Sequence, residues 1–265
     1  MTDRPYLALI QESVQHDDIT FEEITPDYLY RAKKEQKSFI MHDVEVGLNN
    51  SASLKIARSK SATYSVLKKA GIPAVEHCFL LNDSSRFSKG NSYHLAADHF
   101  HSFGEPMVLK QDDGSQGKNV YQIHSAEELQ SRIKTLFSLE VNACLSPFYS
   151  STYEYRIIML KDDPKLFLAK ERTTSWKHNL ITGSLSKEVP AALIPILSKM
   201  ATDTSTALEL DFCSVDILDT SHGLLVLEVN EQVMLDEYVK GDPNRKEKVS
   251  AIYREAILER FTRLS

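Results

Sequence analysis

Gly223-Leu224-Leu225-Val226-Leu227-Glu228-Val229-Asn230 is an apolar run that closes on a carboxylate and a carboxamide either side of a valine. Side chains alternate faces along a β-strand, so Glu228 and Asn230 share one side while Val229 turns toward the core. The upstream run Ser214-Val215-Asp216-Ile217-Leu218 reads as the partner strand, with Asp219 to Gly223 as the hairpin loop. A loop symmetric about Ser221 predicts Leu218 opposite Leu224 and Asp216 opposite Val226, which puts Asp216 on the face of Glu228 and one pair away. Two carboxylates and an amide converging in this way repel unless a hard cation sits between them. Magnesium takes one or two carboxylates together with substrate phosphates. The same residues also fit a hairpin whose solvent face is acidic.

A chain of 265 residues buries a substantial core and suits one large domain or two to three closely packed lobes. Its hydrophobic share of 42% and charged share of 26% are ordinary globular values, which excludes a disordered chain. The formal charge of -6 argues against a nucleic-acid partner, because neutralising a phosphate backbone takes a concentrated basic surface. Cys78, Cys144 and Cys213 are odd in number, far apart and without paired metal-ligand spacing, so they read as reduced thiols of a cytosolic protein. No uninterrupted apolar stretch approaches the ~18 residues of a membrane span, and the N-terminus lacks a signal pattern. The expectation is a cytoplasmic protein with neither membrane nor nucleic-acid contacts.

Residues 1–50 read as a short polar segment: a helical start from Tyr6 to Val14, an acidic linker from Asp17 to Glu23, and a strand at Ser38 to Met41. From Ser51 to Ala70 the spacing of Leu54, Ala57, Tyr64, Leu67 and Ala70 predicts one helix, stopped by Gly71 and Pro73. Strands follow at Cys78 to Leu81, Pro106 to Lys110 and Asn119 to Ile123, and Ser125 with Glu128 forms a capping-box pattern before the next helix. The second half repeats the mixture, with strands at Tyr155 to Leu160 and Leu166 to Lys170, a helix from about Pro190 to Leu208, the acidic hairpin, and a closing helix from about Lys246 to Phe261. Antiparallel strands interleaved with helices indicate an α+β fold.

Several segments carry candidate chemistry. Lys110 ends an apolar strand and precedes Gln111-Asp112-Asp113-Gly114-Ser115-Gln116-Gly117, where two glycines let the backbone turn tightly and offer its amides to an anion. Gly117-Lys118 is followed by Asn119, so this is not a P-loop, and a plain hairpin is the alternative. Glu154 and Arg156 share one strand face, a pattern that also fits a cross-strand ion pair. Lys170-Glu171-Arg172 and Trp176-Lys177-His178-Asn179 concentrate cations and amides that suit an anionic substrate or a transferring phosphate, or else a solvated loop.

The order of these segments, from about Asn49 to Tyr238, resembles the ATP-grasp superfamily of carboxylate-amine ligases. Ile56-Ala57-Arg58-Ser59-Lys60, leading to Ala70-Gly71-Ile72-Pro73, is similar to the family's first ATP lysine and its helix. Pro106 to Gly117 is similar to the second lysine and the phosphate-covering loop. Cys144-Leu145-Ser146-Pro147-Phe148 resembles the adenine-holding hinge, Glu154-Tyr155-Arg156 the acidic step after it, and Lys170 to Gly183 the Arg-rich, Asn-containing segment of ribosomal-protein glutamate ligases. Val46-Gly47-Leu48-Asn49-Asn50 is similar to the ATP-grasp region of cyanophycin synthetase and of fused glutathione synthetases. Asp216, Glu228 and Asn230 match the family's magnesium ligands.

The resemblance implies two α+β lobes clasping ATP, 51–145 and 146–265, preceded by a shortened N-terminal segment, 1–50. It implies an ADP-forming ligase that makes an amide through an acylphosphate, on amino acid or peptide substrates, with ATP and magnesium as cofactors. It assigns Lys60, Lys110, Gly114, Ser115, Gln116, Gly117, Ser146, Phe148 and Glu154 to the nucleotide, and Arg156, Arg172, Lys177 and Asn179 to the substrate carboxylate and the acylphosphate oxyanion. A small-molecule kinase on the same fold and a non-catalytic nucleotide-binding scaffold are the alternatives. Three departures stand out: Ser146 where a Glu or Gln is common, Lys177 for an Arg, and Glu231-Gln232-Val233-Met234 where Ser-x-Pro-Gly usually follows the metal Asn. The short opening segment leaves part of the substrate surface to a partner protein or a second copy of the chain.

Overall fold

The computed structural model describes residues 4–115, 117–172 and 185–264. Helix α1 (Pro5–Ser13) is followed by strands β1 (Thr20–Thr25), β2 (Leu29–Lys34) and β3 (Lys37–His42), which pair antiparallel in that order. The acidic stretch expected as a linker is therefore strand from Thr20 onward. Glu22 lies opposite Arg31 on an exposed face and meets Lys33 at 2.5 Å, so its charge is matched across the ladder and does not oppose pairing.

The single helix expected over Ser51 to Ala70 is two, α2 (Ser51–Arg58) and α3 (Lys60–Lys69). Ser59 breaks it by taking an extended conformation (φ -90°, ψ 112°) in which its side chain caps α3 at the amide of Ala62. Gly71 then ends α3 at φ +72°, the left-handed conformation that glycine adopts at least cost.

Strands β4 (Cys78–Leu80), β5 (Met107–Gln111), β6 (Val120–Ile123) and β7 (Ala143–Pro147) make a second sheet in the order β4-β7-β5-β6, covered by α4 (Ser92–Phe103) and α5 (Ala126–Ser138). The sequence reading assigned no element to α4, whose buried positions Ser92, Ala96 and Phe100 form a narrow stripe among histidines and polar residues. Met107, Leu109, Ile123 and Leu145 fill the core beneath these helices, so the alternate residues Val108, Lys110 and Ser146 face the other way.

The third sheet holds β8 (Ser151–Leu160), β9 (Asp163–Glu171), β10 (Leu185–Lys187), β11 (Phe212–Thr220) and β12 (Gly223–Asn230) in the order β10-β9-β8-β11-β12. Tyr155, Ile157, Met159, Val215, Ile217 and Val229 pack one face against α6 (Ile194–Ala207) and against Ala57 and Leu67 of α2 and α3. The opposite face is divided. At one end Ile158, Leu160, Leu166, Leu168 and Phe212 join α1, the three-stranded sheet and α8 (Pro243–Thr262) in a common core, after the short helix α7 (Asp236–Val239). At the other end the same face carries the charged residues of the candidate site. Residues 1–50 thus share a core with the third sheet.

Asn49 fastens this joint. Its Oδ1 accepts from the amides of Asp211 and Phe212, both at 2.9 Å, and its Nδ2 donates to the Phe212 carbonyl at 2.7 Å. Asn49→Ala removes all three bonds and should cost about 2 kcal/mol in urea unfolding, because the half-buried amides lose their acceptor. A loss under about 0.5 kcal/mol, the range of ordinary surface substitutions, would show that water replaces the side chain without penalty.

Candidate active site

A cavity of about 530 Å³ opens between the exposed faces of the second and third sheets. Val108, Lys110 and Ser146 line one wall, and Glu154, Arg156, Lys170, Asp216, Glu228 and Asn230 the other. The lower wall follows from strand alternation and register: Arg156 pairs with Asp216 across β8 and β11, Glu154 with Lys170 across β8 and β9, and Asp216 with Glu228 across β11 and β12.

The hairpin register differs from the expected one. Thr220 pairs with Gly223, so the loop is Ser221-His222, and Leu218 faces Leu225 instead of Leu224. A β-bulge then shifts the ladder between Asp216 and Ile217, with Leu227 as the extra residue. Val226 and Val229 stay in the core while both Leu227 and Glu228 line the cavity. The bulge brings Glu228 directly opposite Asp216, closer than the diagonal placement predicted from a regular hairpin. Asn230 adds its amide, with Nδ2 at 3.4 Å from Asp216 Oδ2. Two carboxylates and a carboxamide on adjoining strands make a hard oxygen donor set that fits magnesium.

These charges are paired within the wall. Asp216, 1% exposed, takes a fork from Arg156, with Nε at 2.7 Å and Nη2 at 2.5 Å, and Lys170 Nζ lies 3.6 Å away. Burial pushes the Asp216 carboxyl upward, but Arg156 and Lys170 outweigh it and hold the group below its usual value. Lys170 bonds Glu154, whose carboxyl burial pushes up to about 7 against the pull of that lysine. The cross-strand ion pair left open by the sequence pattern is therefore present, and it sits inside the cavity wall.

The upper wall differs. The Lys110 side chain is 7% exposed, and its ammonium has neither a hydrogen-bond nor an ion-pair partner among the described residues. Burial lowers its pKa. Lys60, the first residue of α3, donates to the Gly114 carbonyl at 2.6 Å and comes within 4.0 Å of Glu228. The glycine loop turns back on itself through Lys118 N to Ser115 O at 3.2 Å and Gly114 N to Gln111 O at 3.3 Å. A side chain at Gly114 would place its Cβ 3.0 Å from Gln111 Cβ, a contact that Gln111 would have to shift to accommodate.

Lys60, Lys110, Gly114, Ser115, Gly117, Ser146, Phe148, Glu154, Arg156, Asp216, Glu228 and Asn230, all expected in the site, line this one cavity. Arg172 does not: it follows β9, half-buried, with its amide on the Thr152 carbonyl at 2.9 Å. Gln116, Lys177 and Asn179 lie outside the described residues. Lys170 was not assigned to the site, although its alternation with Leu168 and its place opposite Glu154 would have marked it. The cavity also takes in Tyr6, Gln232, Met234 and Tyr238. No local sequence pattern joins these residues, because they meet through the core shared by α1 and α8.

Comparison with known proteins bears on this arrangement. Residues 57–245 match the model of the RimK-like ATP-grasp domain. A probable alpha-L-glutamate ligase of Haemophilus ducreyi is 28% identical over 192 residues, covering 71% of this chain and 59% of the relative. One from Maridesulfovibrio salexigens is 29% identical over 136 residues, 50% of this chain and 44% of the relative. The chain spans about half the length of the curated relatives it matches. Among solved structures, the D-alanine-D-alanine ligase of Bacillus anthracis complexed with ATP superposes with TM-score 0.60 at 16% identity, over 81% of this chain and 67% of that one. A RimK domain ATP-grasp protein of Sphaerobacter thermophilus gives 0.55 at 15%, over 78% and 69%. The fold is ATP-grasp, and with a family match over well more than half of its residues the chain belongs to the RimK-like ATP-grasp family.

Proposed function

We propose that this protein is an ATP-dependent ligase that joins a carboxylate to an amine, on amino acid or peptide substrates, with ADP and phosphate as the other products. The observation that carries the reading is the Lys110 ammonium, which has no hydrogen-bond or ion-pair partner among the described residues and faces a wall where Asp216, Glu228 and Asn230 converge. One wall presents cations and the other oxygen donors for a cation, which is the demand a magnesium-bound triphosphate meets from both sides.

In this reading Lys60 and Lys110 hold the terminal phosphates, the glycine loop after Lys110 covers them, and Ser146 and Phe148 line the base. Glu154 is assigned to the sugar hydroxyls. Asp216, Glu228 and Asn230 would hold magnesium, which neutralises phosphate charge when bound. Arg156 spends its fork on Asp216, which supports a role in fixing that ligand. Lys177 and Asn179 are assigned to the substrate carboxylate and the acylphosphate oxyanion, and Arg172, which does not line the cavity, is left without a role there. The names of the relatives make glutamate the first amino acid to try.

Incubation with magnesium, ATP and pooled amino acids, followed by nucleotide analysis and product mass, tests the reaction. ADP together with a product heavier than either substrate by condensation is the expected result. AMP and pyrophosphate would overturn the acylphosphate route.

Glu228→Gln and Asn230→Ala should each lower magnesium-dependent turnover by at least about a hundredfold with unchanged circular dichroism. Near wild-type ADP formation by either variant at saturating magnesium would remove that residue from the metal site.

Lys170→Met strips Glu154 of its buried cation, and unfolding in urea should show a loss of about 3–5 kcal/mol at mildly alkaline pH. The raised Glu154 carboxyl of the folded protein rises further in this variant, so stability is kept in acid and lost as pH climbs through the folded-state value. The difference from the unsubstituted protein therefore shrinks below about pH 6. A difference that does not change across neutral pH would mean that Glu154 is not the group left unpaired.

A further inference from the structure

Asp112 stands between the two lysines of the cavity without lining it. It follows Lys110 and Gln111 at the end of β5, and its side chain is buried against the start of α3. Its Oδ1 accepts from the Ser61 amide at 3.0 Å, its Oδ2 from the Ser59 hydroxyl at 2.5 Å, and its carbonyl from the Lys60 amide at 3.2 Å and Lys60 Nζ at 3.4 Å. Ser59 Oγ in turn accepts from the Ala62 amide at 3.1 Å, and the Thr63 amide reaches the Ser59 carbonyl at 2.9 Å.

All four amides at the start of α3, from Lys60 to Thr63, are thereby satisfied. A helix start beside a phosphate-sized cavity would ordinarily bind the anion itself. Here a carboxylate from the neighbouring sheet fills that position. Phosphate is left to the two ammonium groups of the cavity.

We infer that Asp112 is a positioning residue for nucleotide binding: it docks the base of the glycine loop on α3 and so fixes Lys60 relative to Lys110. The inference rests on the nucleotide reading above. The Asp112 amide closes the joint from the other side, donating to the Asn142 carbonyl at 3.1 Å. β5, α3 and the loop are thus bonded through one residue, and a shift of Asp112 moves both lysines apart.

Calorimetric titration of the full chain with magnesium ADP tests this. Asp112→Ala should raise the Kd by about tenfold or more, as expected for losing a charged acceptor of two donors. In a Lys60→Ala background the same change should raise it by less than about twofold, because Asp112 acts through that lysine. Asp112→Asn keeps an acceptor for the Ser61 amide and should restore most of the binding. Should Asp112→Ala fail to fold, Ser59→Ala, which removes the hydroxyl that donates to Asp112, carries the same comparison in both backgrounds. Equal losses with and without Lys60, or an unchanged Kd, would overturn the assignment. Failure of the unsubstituted chain to bind magnesium ADP would instead sink the nucleotide reading, and is seen before any substitution is made.

Discussion

The Asp216 carboxylate is buried on β11, one strand in from the edge of a five-stranded sheet, and a charge in that position holds only because cations reach it from neighbouring strands. Arg156 does so by direct pairing across β8 and β11, and Lys170 from one strand further, while also closing on Glu154. A buried group of this kind adds little net stability compared with apolar residues of similar shape, yet it cannot lose one member cheaply. That asymmetry fixes the strand register. A slip of one residue between β8 and β11 would turn Arg156 into the apolar core under α6 and leave Asp216 without its fork.

The same alternation explains why one face of the third sheet serves two purposes. Along β8, Glu154 and Arg156 line the cavity, and Ile158 and Leu160 enter the core shared with α1 and α8. The change from charge to hydrocarbon along a single strand marks where the cavity ends. The bulge at Leu227 adds a local correction, turning two consecutive residues toward the cavity without moving Val226 or Val229 from the core. The opposite wall is simpler, since Lys110 is carried by a strand whose other face buries Met107 and Leu109 in the core.

Much of this was legible in the sequence because it depends on period-two alternation and on short segments. Glu228 and Asn230 were placed on one face from spacing alone, and the loop after Lys110 was identified from its two glycines. The bulge was not legible, since an apolar run reads the same with or without an extra leucine. The break at Ser59 was missed for a different reason: the apolar spacing of Leu54, Ala57, Tyr64 and Leu67 suits one helix, and only the carboxylate of Asp112, more than fifty residues away, makes an interruption stable there. Strand β1 was hidden by its acidic side chains, of which Glu22 is matched by Arg31 and Lys33 and Glu23 accepts from the Tyr30 hydroxyl across the sheet. Local patterns report local structure, whereas the break at Ser59 is set by a partner distant in the chain.

The segment after Asn230 shows how such distant partners shape the cavity. Val233 and Leu235 are anchored in the core formed with α8, and the Tyr253 hydroxyl donates to the Val233 carbonyl at 2.8 Å. Alternation then sends Gln232 and Met234 toward the cavity, where Tyr6 of α1 joins them. Glu231, turned away, is held by Arg58 of α2 at 2.6 Å. This is the stretch that departs from the Ser-x-Pro-Gly pattern, and its Glu231 and Val233 are fastened to elements outside the two sheets that make the nucleotide-sized cavity. The wall beyond the oxygen donors is therefore built jointly by the N-terminal segment and α8. Its shape depends on the packing of residues 5–48 as directly as on the residues that line it.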